Sequence, residues 1–137
     1  MSQRHLHGFR SPFLQAMEQQ FNRRAKPLRN RGSLSIDGEQ RDDGESWLEV
    51  VLVTTSRFSV CIVLKEQNRA NLFIRSARAA NRGRVLLRVE DLRVSSNGAA
   101  IVAAFEETVA LAHDLDSAPD AAARIEALWN SMHFRIS

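Results

Sequence analysis

Apolar and polar residues alternate along most of the segment from residue 46 to residue 94. In its central stretch, Val60, Ile62 and Leu64 share one parity, and Arg57 lies on the other. A period of two places successive side chains on opposite faces of a β-strand. The pattern therefore predicts a β-sheet with one apolar face and a second face that mixes apolar side chains with arginines.

Short connections divide this region into strands. Residues 55–56 and residues 66–68 are turns, and residues 77–83 form a basic loop. Connections this short join neighbouring strands that run in opposite directions, so the sheet is predicted to be an antiparallel meander. The predicted strands cover residues 34–36 after Gly32, then 46–54, 57–65, 69–76 and 84–94.

Helical patterns flank the sheet on both sides. Ser11 can cap a helix that has Pro12 in its first turn, and the residue before Pro27 avoids helical angles, so this helix is expected to end near Lys26. Its apolar stripe consists of Phe13, Leu14, Met17 and Phe21.

Two further helices are predicted after the sheet. The first follows residues 95–98, which offer several N-caps, and the second follows residues 117–120, which resemble a capping box with Pro119 in the first turn. The predicted fold class is thus α+β, with an N-terminal helix, a five-stranded antiparallel meander sheet and two C-terminal helices. Residues 1–10 are expected to be a flexible N-terminus, and residues 11–137 a single domain.

Length and composition agree with one compact domain. The chain has 137 residues, of which 44% are hydrophobic, and this is enough to bury a core. Cys61 is the single cysteine, so no internal disulfide forms and a reducing cytoplasm is the expected location. No run of 18 apolar residues and no secretory apolar segment are present, so we expect no membrane association.

Charge is arranged in four blocks along the chain. Residues 1–31 and 57–93 each carry six more basic than acidic residues. Residues 32–56 carry five more acidic than basic residues, and residues 94–137 carry four more. Either the blocks form separate faces that orient a charged partner, or they neutralise one another across the fold.

No motif in the sequence predicts catalysis, metal binding or a cofactor. His5 and His7 have no third ligand nearby in sequence, and the acid pair Asp42 and Asp43 fits a solvated turn better than acid–base catalysis. Neither a nucleophile elbow nor a phosphate-binding glycine loop is present. We therefore expect a binding domain and no enzyme.

The second face of the predicted sheet is the candidate partner-binding surface. If the helices leave it open, it presents aromatics and arginines, a composition typical of binding hot spots. The alternative, slightly favoured because many α+β domains have three layers, is that helices cover both faces. The candidate partner-binding residues are Trp47, Arg57, Phe73, Arg75, Arg84 and Arg88.

The order of these segments resembles the TriTu family of bacterial immunity proteins, small cytoplasmic proteins that guard a cell against a polymorphic toxin. The resemblance covers residues 13 to about 113 and lies in strand order and spacing. This chain is basic where the family is usually acidic, and it carries one further C-terminal helix. The matching segments are residues 13–18, 32–37, 47–50, 57–60, 89–96 and 105–107.

The resemblance implies a non-enzymatic domain that binds and neutralises a cognate bacterial toxin. A nucleic-acid-binding module using residues 69–93 is the alternative, although Phe73 is the one aromatic residue near those arginines and the chain has no tyrosine. A chaperone or adaptor for a secreted protein is a third hypothesis. The expected partner is therefore a protein, either a toxin or an effector domain.

Overall fold

The structure is a computed structural model that describes residues 6–54, 58–76, 84–94, 97–115 and 120–131. Two helices precede a sheet of five strands, and two helices follow it. The elements are α1 Pro12–Arg23, α2 Ala25–Arg29, β1 Gly32–Glu39, β2 Trp47–Thr54, β3 Phe58–Lys65, β4 Arg69–Ser76, β5 Val85–Arg93, α3 Gly98–Ala112 and α4 Asp120–Asn130.

The sheet is an antiparallel meander in which the spatial order is β1-β2-β3-β4-β5. Gly32 of β1 lies opposite Thr54 of β2, and the pairing continues without a shift to Glu39 opposite Trp47. The predicted fold class and strand order are therefore confirmed. Between β3 and β4, Gln67 and Asn68 adopt φ of 64° and 58°, and this left-handed pair turns the chain back on itself.

All the described helices pack on one face of the sheet. The even-numbered residues of β2, β3 and β4 are buried there, whereas their odd-numbered neighbours are mostly half-buried or exposed. The arrangement with helices on both faces, which the sequence slightly favoured, is therefore wrong for the described residues. The two-layer core contains Leu48, Val50, Leu52, Val60, Ile62, Leu64, Leu72 and Ile74 from the sheet, and Leu14, Met17, Phe21, Ile101, Phe105, Val109, Ile125 and Trp129 from the helices.

The first helical region differs from the prediction at its C-terminal end. Ser11 caps α1 as expected, since its hydroxyl accepts a hydrogen bond from the N–H of Leu14 at 3.3 Å. However, α1 ends at Arg23, and Pro27 lies inside the short helix α2. The break at Arg24 restarts the helix, so Pro27 occupies a first turn, where its missing N–H needs no partner.

Two residues of the N-terminal segment, His7 and Phe9, pack against the rest of the domain, whereas Leu6 is exposed. Phe9 is 3% exposed and belongs to the core. The backbone N–H of His7 lies 3.3 Å from a carboxylate oxygen of the buried Glu18, and the ring Nδ1 contacts the same carboxylate. This pair anchors the segment to α1. Residues 1–5 lie outside the described residues.

Strand β5 departs from simple alternation because its pairing with β4 shifts twice. Leu72 lies opposite Val89, but Ala70 lies opposite Leu92. At the shift, Asp91 adopts φ of 55° and donates its N–H to the side-chain oxygen of Asn71 at 2.9 Å. The extra residue reverses the parity, so the buried positions pass from odd numbers to even numbers along the strand.

A buried polar chain joins α4 to α3. The indole N–H of Trp129 donates to the hydroxyl of Thr108 at 2.7 Å, and that hydroxyl donates to the carbonyl of Ala104 at 2.7 Å. Asn97 caps α3 by accepting from the N–H of Ala100 at 3.3 Å, as the sequence predicted for this region. Most of the predicted capping box before α4 lies outside the described residues.

Within the described ranges, none of the helices has both the length and the apolar content that crossing a bilayer requires.

We predict that Thr108→Val lowers the free energy of unfolding by about 1–3 kcal/mol, because the Trp129 N–H is left buried without an acceptor. In a Trp129→Phe background the same substitution should cost much less, since that N–H is gone. Urea unfolding followed by circular dichroism, on all four members of this double-mutant cycle, measures the difference. Equal costs in the two backgrounds would contradict the importance of the hydrogen bond.

Candidate functional site

The face of the sheet that the helices do not cover is the candidate site, and we call it the mixed face. It consists of alternate residues of four strands that share one side by register. Its members are Trp47, Glu49, Val51 and Val53 of β2, Ser59, Cys61, Val63 and Lys65 of β3, Arg69, Asn71, Phe73 and Arg75 of β4, and Val85, Arg88 and Arg93 of β5.

A row of side chains crosses the middle of the mixed face. Val51 lies opposite Cys61, Cys61 opposite Phe73, and Phe73 opposite Arg88. Neighbouring strands are about 4.8 Å apart, so these four side chains form one continuous band about 15 Å long. The sequence predicted the shared parity, and the register places Phe73 and Arg88 in direct contact range.

Phe73 lies between two guanidinium groups. The central carbon of Arg75 is 5.5 Å from the ring centroid of Phe73, and that of Arg88 is 5.6 Å from it. Both distances fall within the range of cation–π attraction. The Nε of Arg88 is 3.8 Å from a carboxylate oxygen of Glu90, whereas no carboxylate of the described residues lies within ion-pair distance of Arg75. Arg75 is exposed and open to a partner's carboxylate.

Beside this cluster the mixed face is apolar and open to solvent. Val53 is 40% exposed, which is unusual for a valine inside a strand. Trp47, Val51 and Val63 are half-buried by their neighbours in the sheet. A contiguous exposed apolar patch that is bordered by charged side chains is typical of a surface that binds another macromolecule.

The thiol of Cys61 is held in its neutral form. Burial raises the pKa of Cys61 to about 12, and the negative charge of Glu49 acts in the same direction. The sulfur lies 3.7 Å from a carboxylate oxygen of Glu49, to which the thiol donates, while Arg75 acts weakly in the opposite direction. The geometry thus makes Cys61 a small apolar member of the face and a poor nucleophile.

Charges on the mixed face and its β1 extension are separated across the sheet. The acidic residues Asp37 and Glu39 lie on β1, and Glu49 lies beside them on β2. The other strands carry mostly basic residues, namely Lys65, Arg69, Arg75, Arg88 and Arg93, with Glu90 beside Arg88. A partner therefore meets an acidic side at β1–β2 and a basic side at β3–β5.

Elsewhere, basic and acidic residues neutralise one another, which is the second of the two charge arrangements that the sequence allowed. The guanidinium of Arg24 donates to both carboxylate oxygens of Glu106 at 2.9 and 3.0 Å, and these bonds raise the pKa of Arg24. Arg10 contacts Asp42, and Arg69 contacts Glu45. Basic and acidic blocks therefore neutralise one another in these pairs, and Arg69 is the member of the mixed face that takes part.

The structure brings together some of the predicted site residues and separates others. Phe73, Arg75 and Arg88 form one cluster. Trp47 shares their face but lies four positions from Val51 along β2, about 13 Å from the central row. Arg57 lies outside the described residues.

Arg84 does not share the mixed face by register. Its carbonyl accepts the N–H of Ser76 at 2.9 Å, and Ser76 is buried on the helix side of the sheet. The pairing shift between Ile74 and Arg75 is the cause. Leu86, beside this shift, is half-buried and packs against the core.

The acidic side of the surface was missed from the sequence. Asp37 and Glu39 belong to β1, which the sequence ended at Ile36 because Asp37 and Gly38 are typical of a turn. The alternation of exposed and half-buried positions from Gly32 to Glu39 shows that the strand continues. The signal available was a polar residue at every second position, namely Ser33, Ser35, Asp37 and Glu39.

Outside the mixed face the described residues offer little chemistry. A surface cavity of about 370 Å³ lies between α1 and α3, and its charged groups, Arg24 and Glu106, are bonded to each other. No group of three or more His, Cys, Asp or Glu side chains in the described ranges is placed to hold a metal ion.

No protein-family model matches the chain, and no curated protein or solved structure matches it at a significant level.

We predict that iodoacetamide modifies Cys61 very slowly in the folded protein at pH 8.5 and rapidly in urea, because a pKa of about 12 leaves almost no thiolate. Below the ordinary thiol pKa of 9.0, the Cys61 thiol is protonated in both the folded and the unfolded chain. Between pH 9 and 12 the thiol loses its proton only in the unfolded chain, so the free energy of unfolding falls as the pH rises. Mass spectrometry follows the labelling, with Cys61→Ala as the control. Fast labelling of the folded chain would contradict this.

Proposed function

We propose that this protein is a non-enzymatic binding domain that docks a protein partner on the mixed face. The observation that carries the proposal is that Phe73, flanked by Arg75 and Arg88, lies on a sheet face without helices among the described residues. Including β1, the face measures roughly 24 by 26 Å, or about 600 Å². This approaches the roughly 800 Å² that each partner contributes to a standard interface.

The mixed face has the anatomy of a protein interface. Phe73 and the neighbouring valines supply apolar area, and arginine forms paired hydrogen bonds with carboxylates. The side chain of Arg75 already lies over Phe73, so part of the cost of ordering it has been met before a partner arrives. The partner that fits presents carboxylates beside an apolar patch.

The sides of opposite charge favour a protein over a nucleic acid. Phosphates attracted by Arg75 and Arg88 would meet Glu49, Asp37 and Glu39 on the adjoining strands. Arg69, at the start of the basic segment, is already paired with Glu45. A protein surface can complement both signs, whereas a phosphate backbone carries one sign throughout.

The specific role we propose is that of an immunity protein, a cytoplasmic domain that occludes a cognate toxin. The resemblance in strand order and spacing to the TriTu family supports this role. Occlusion needs a rigid surface and no catalytic group. A flat sheet face with a fixed aromatic–arginine cluster supplies such a surface.

We predict that the double variant Arg75→Glu/Arg88→Glu folds normally and binds the partner at least roughly tenfold more weakly, because two attractive charges become repulsive. Arg23→Glu/Arg124→Glu, which makes the same change of charge at exposed positions on α1 and α4, should leave affinity nearly unchanged. Calorimetric titration at two salt concentrations measures both variants. Equal losses for both would indicate a general charge effect and contradict the assigned site.

The function itself is tested in the native host. The wild-type chain and both double variants are used to capture binding partners, and a protein retained by the wild type and the control but lost by Arg75→Glu/Arg88→Glu is then expressed in a susceptible strain. Growth arrest that this chain relieves supports an immunity role. Recovery of nucleic acid without a protein partner would overturn the proposal.

A further inference from the structure

The two edges of the sheet are built differently. At β5 the pairing with β4 shifts twice, Asp91 adopts a positive φ, and Arg88, Glu90 and Arg93 add exposed charges. Bulges and charges of this kind protect an edge from pairing with another strand. At the opposite edge, β1 pairs with β2 over eight residues without a shift. Strand β1 therefore lacks the bulges that protect the β5 edge.

The unprotected part of β1 is its first half. Residues 33–36 are uncharged, and among the residues that the structure describes only β2 forms backbone hydrogen bonds with them. The second half is occupied, because the N–H of Gly38 donates to Asp37 at 2.8 Å and the N–H of Arg10 donates to the side chain of Gln40 at 2.9 Å. An incoming strand thus has about five residues to pair with, from Gly32 to Ile36.

We propose that a second copy of this chain pairs with this edge, β1 antiparallel to β1, about a two-fold axis at Leu34. In this register Leu34 lies opposite the partner's Leu34, and Ile36 lies opposite the partner's Gly32. Leu34 and Ile36 are half-buried at the margin of the core, so the pairing covers apolar surface that the monomer leaves open. Because Gly32 has no side chain, it leaves room for the partner's Ile36.

Charge complementarity selects this register. It places Arg31 opposite the partner's Asp37 at both ends of the paired segment, and both residues are exposed in the monomer. The ring Nε2 of His7 also lies 3.6 Å from a carboxylate oxygen of Asp37. A register centred on Ile36 would place Arg31 opposite the partner's Arg41, and one centred on Ser35 would use Gly38, whose N–H is already bonded.

The pairing would create one sheet of ten strands. Antiparallel pairing of odd with odd residues keeps parity, so the mixed faces of both copies would lie on the same side. The dimer would therefore present two partner-binding faces side by side. This inference does not depend on the identity of the partner proposed above.

The test measures the mass of the purified chain by light scattering over a dilution series that starts at roughly 100 μM, so that both the mass and the Kd of the dimer are obtained. A monomer has a mass of 15.4 kDa, so we expect about 31 kDa. The variants Arg31→Asp and Asp37→Arg should each weaken the dimer roughly tenfold or more, since each places like charges opposite one another twice. The double variant Arg31→Asp/Asp37→Arg should restore it.

The matched controls make the same changes of charge at exposed positions: Arg124→Asp on α4, which packs on α3 and β5, and Asp43→Arg outside the paired segment. Both should dimerise as the wild type does. Circular dichroism verifies that every variant folds. A monomeric wild-type chain, as expected if another protein's strand occupies the edge, overturns the proposal. So does an Arg31→Asp variant that dimerises with the Kd of the wild type, or a double variant that dimerises no more tightly than the single variants.

Discussion

Packing of the helices on one face of the sheet is the constraint on which the rest of this structure depends. Helix α3 lies centrally, with α1 and α4 as neighbours and β3 beneath it, and nine of its fifteen residues are buried. Its apolar side chains therefore pack against α1, α4 and β3. The ring of Phe105 meets the ring of Phe21 edge-on at 5.4 Å, which fixes α1 against α3. The described helices thus have their apolar stripes engaged on this side, and the other face of the sheet stays open.

An open face with aromatic and aliphatic residues has to avoid unspecific association. Here the arginine side chains lie over Phe73, and their charged ends remain in water. Glu49 lies among the apolar residues, where it accepts from the thiol of Cys61. Charged side chains on a flat sheet surface discourage aggregation and still allow a complementary partner to bind.

The sequence predicted the strands and the buried parity well because alternation is a direct consequence of the pleat. Every even-numbered apolar residue from Leu48 to Leu52 is buried, as the period of two required. The failure on β5 occurs where a single contact overrides the local pattern. The bond between Asn71 and Asp91 lies at the shift that reverses the parity of this strand.

The candidate site was predictable in part for the same reason. Parity placed Phe73, Arg75 and Arg88 on one face, but it contains no information about bulges, so the register removed Arg84 from that face. The alternation of apolar and polar residues also could not predict whether helices cover one face of the sheet or both. A strand with one apolar face requires one covering layer, and the second layer depends on whether the helices have apolar surface to spare.

The formal net charge of +3 conceals the electrostatic property that matters most for recognition. Ion pairs such as Arg24 with Glu106 cancel charge between helices, where it would have no role in docking. On the mixed face the cancellation is incomplete. Asp37, Glu39 and Glu49 lie on β1 and β2, whereas the basic residues lie on β3 to β5, where Glu90 beside Arg88 and Glu45 beside Arg69 offset only part of their charge. A separation of charge across a flat surface defines a direction, so it orients a partner as well as attracting it.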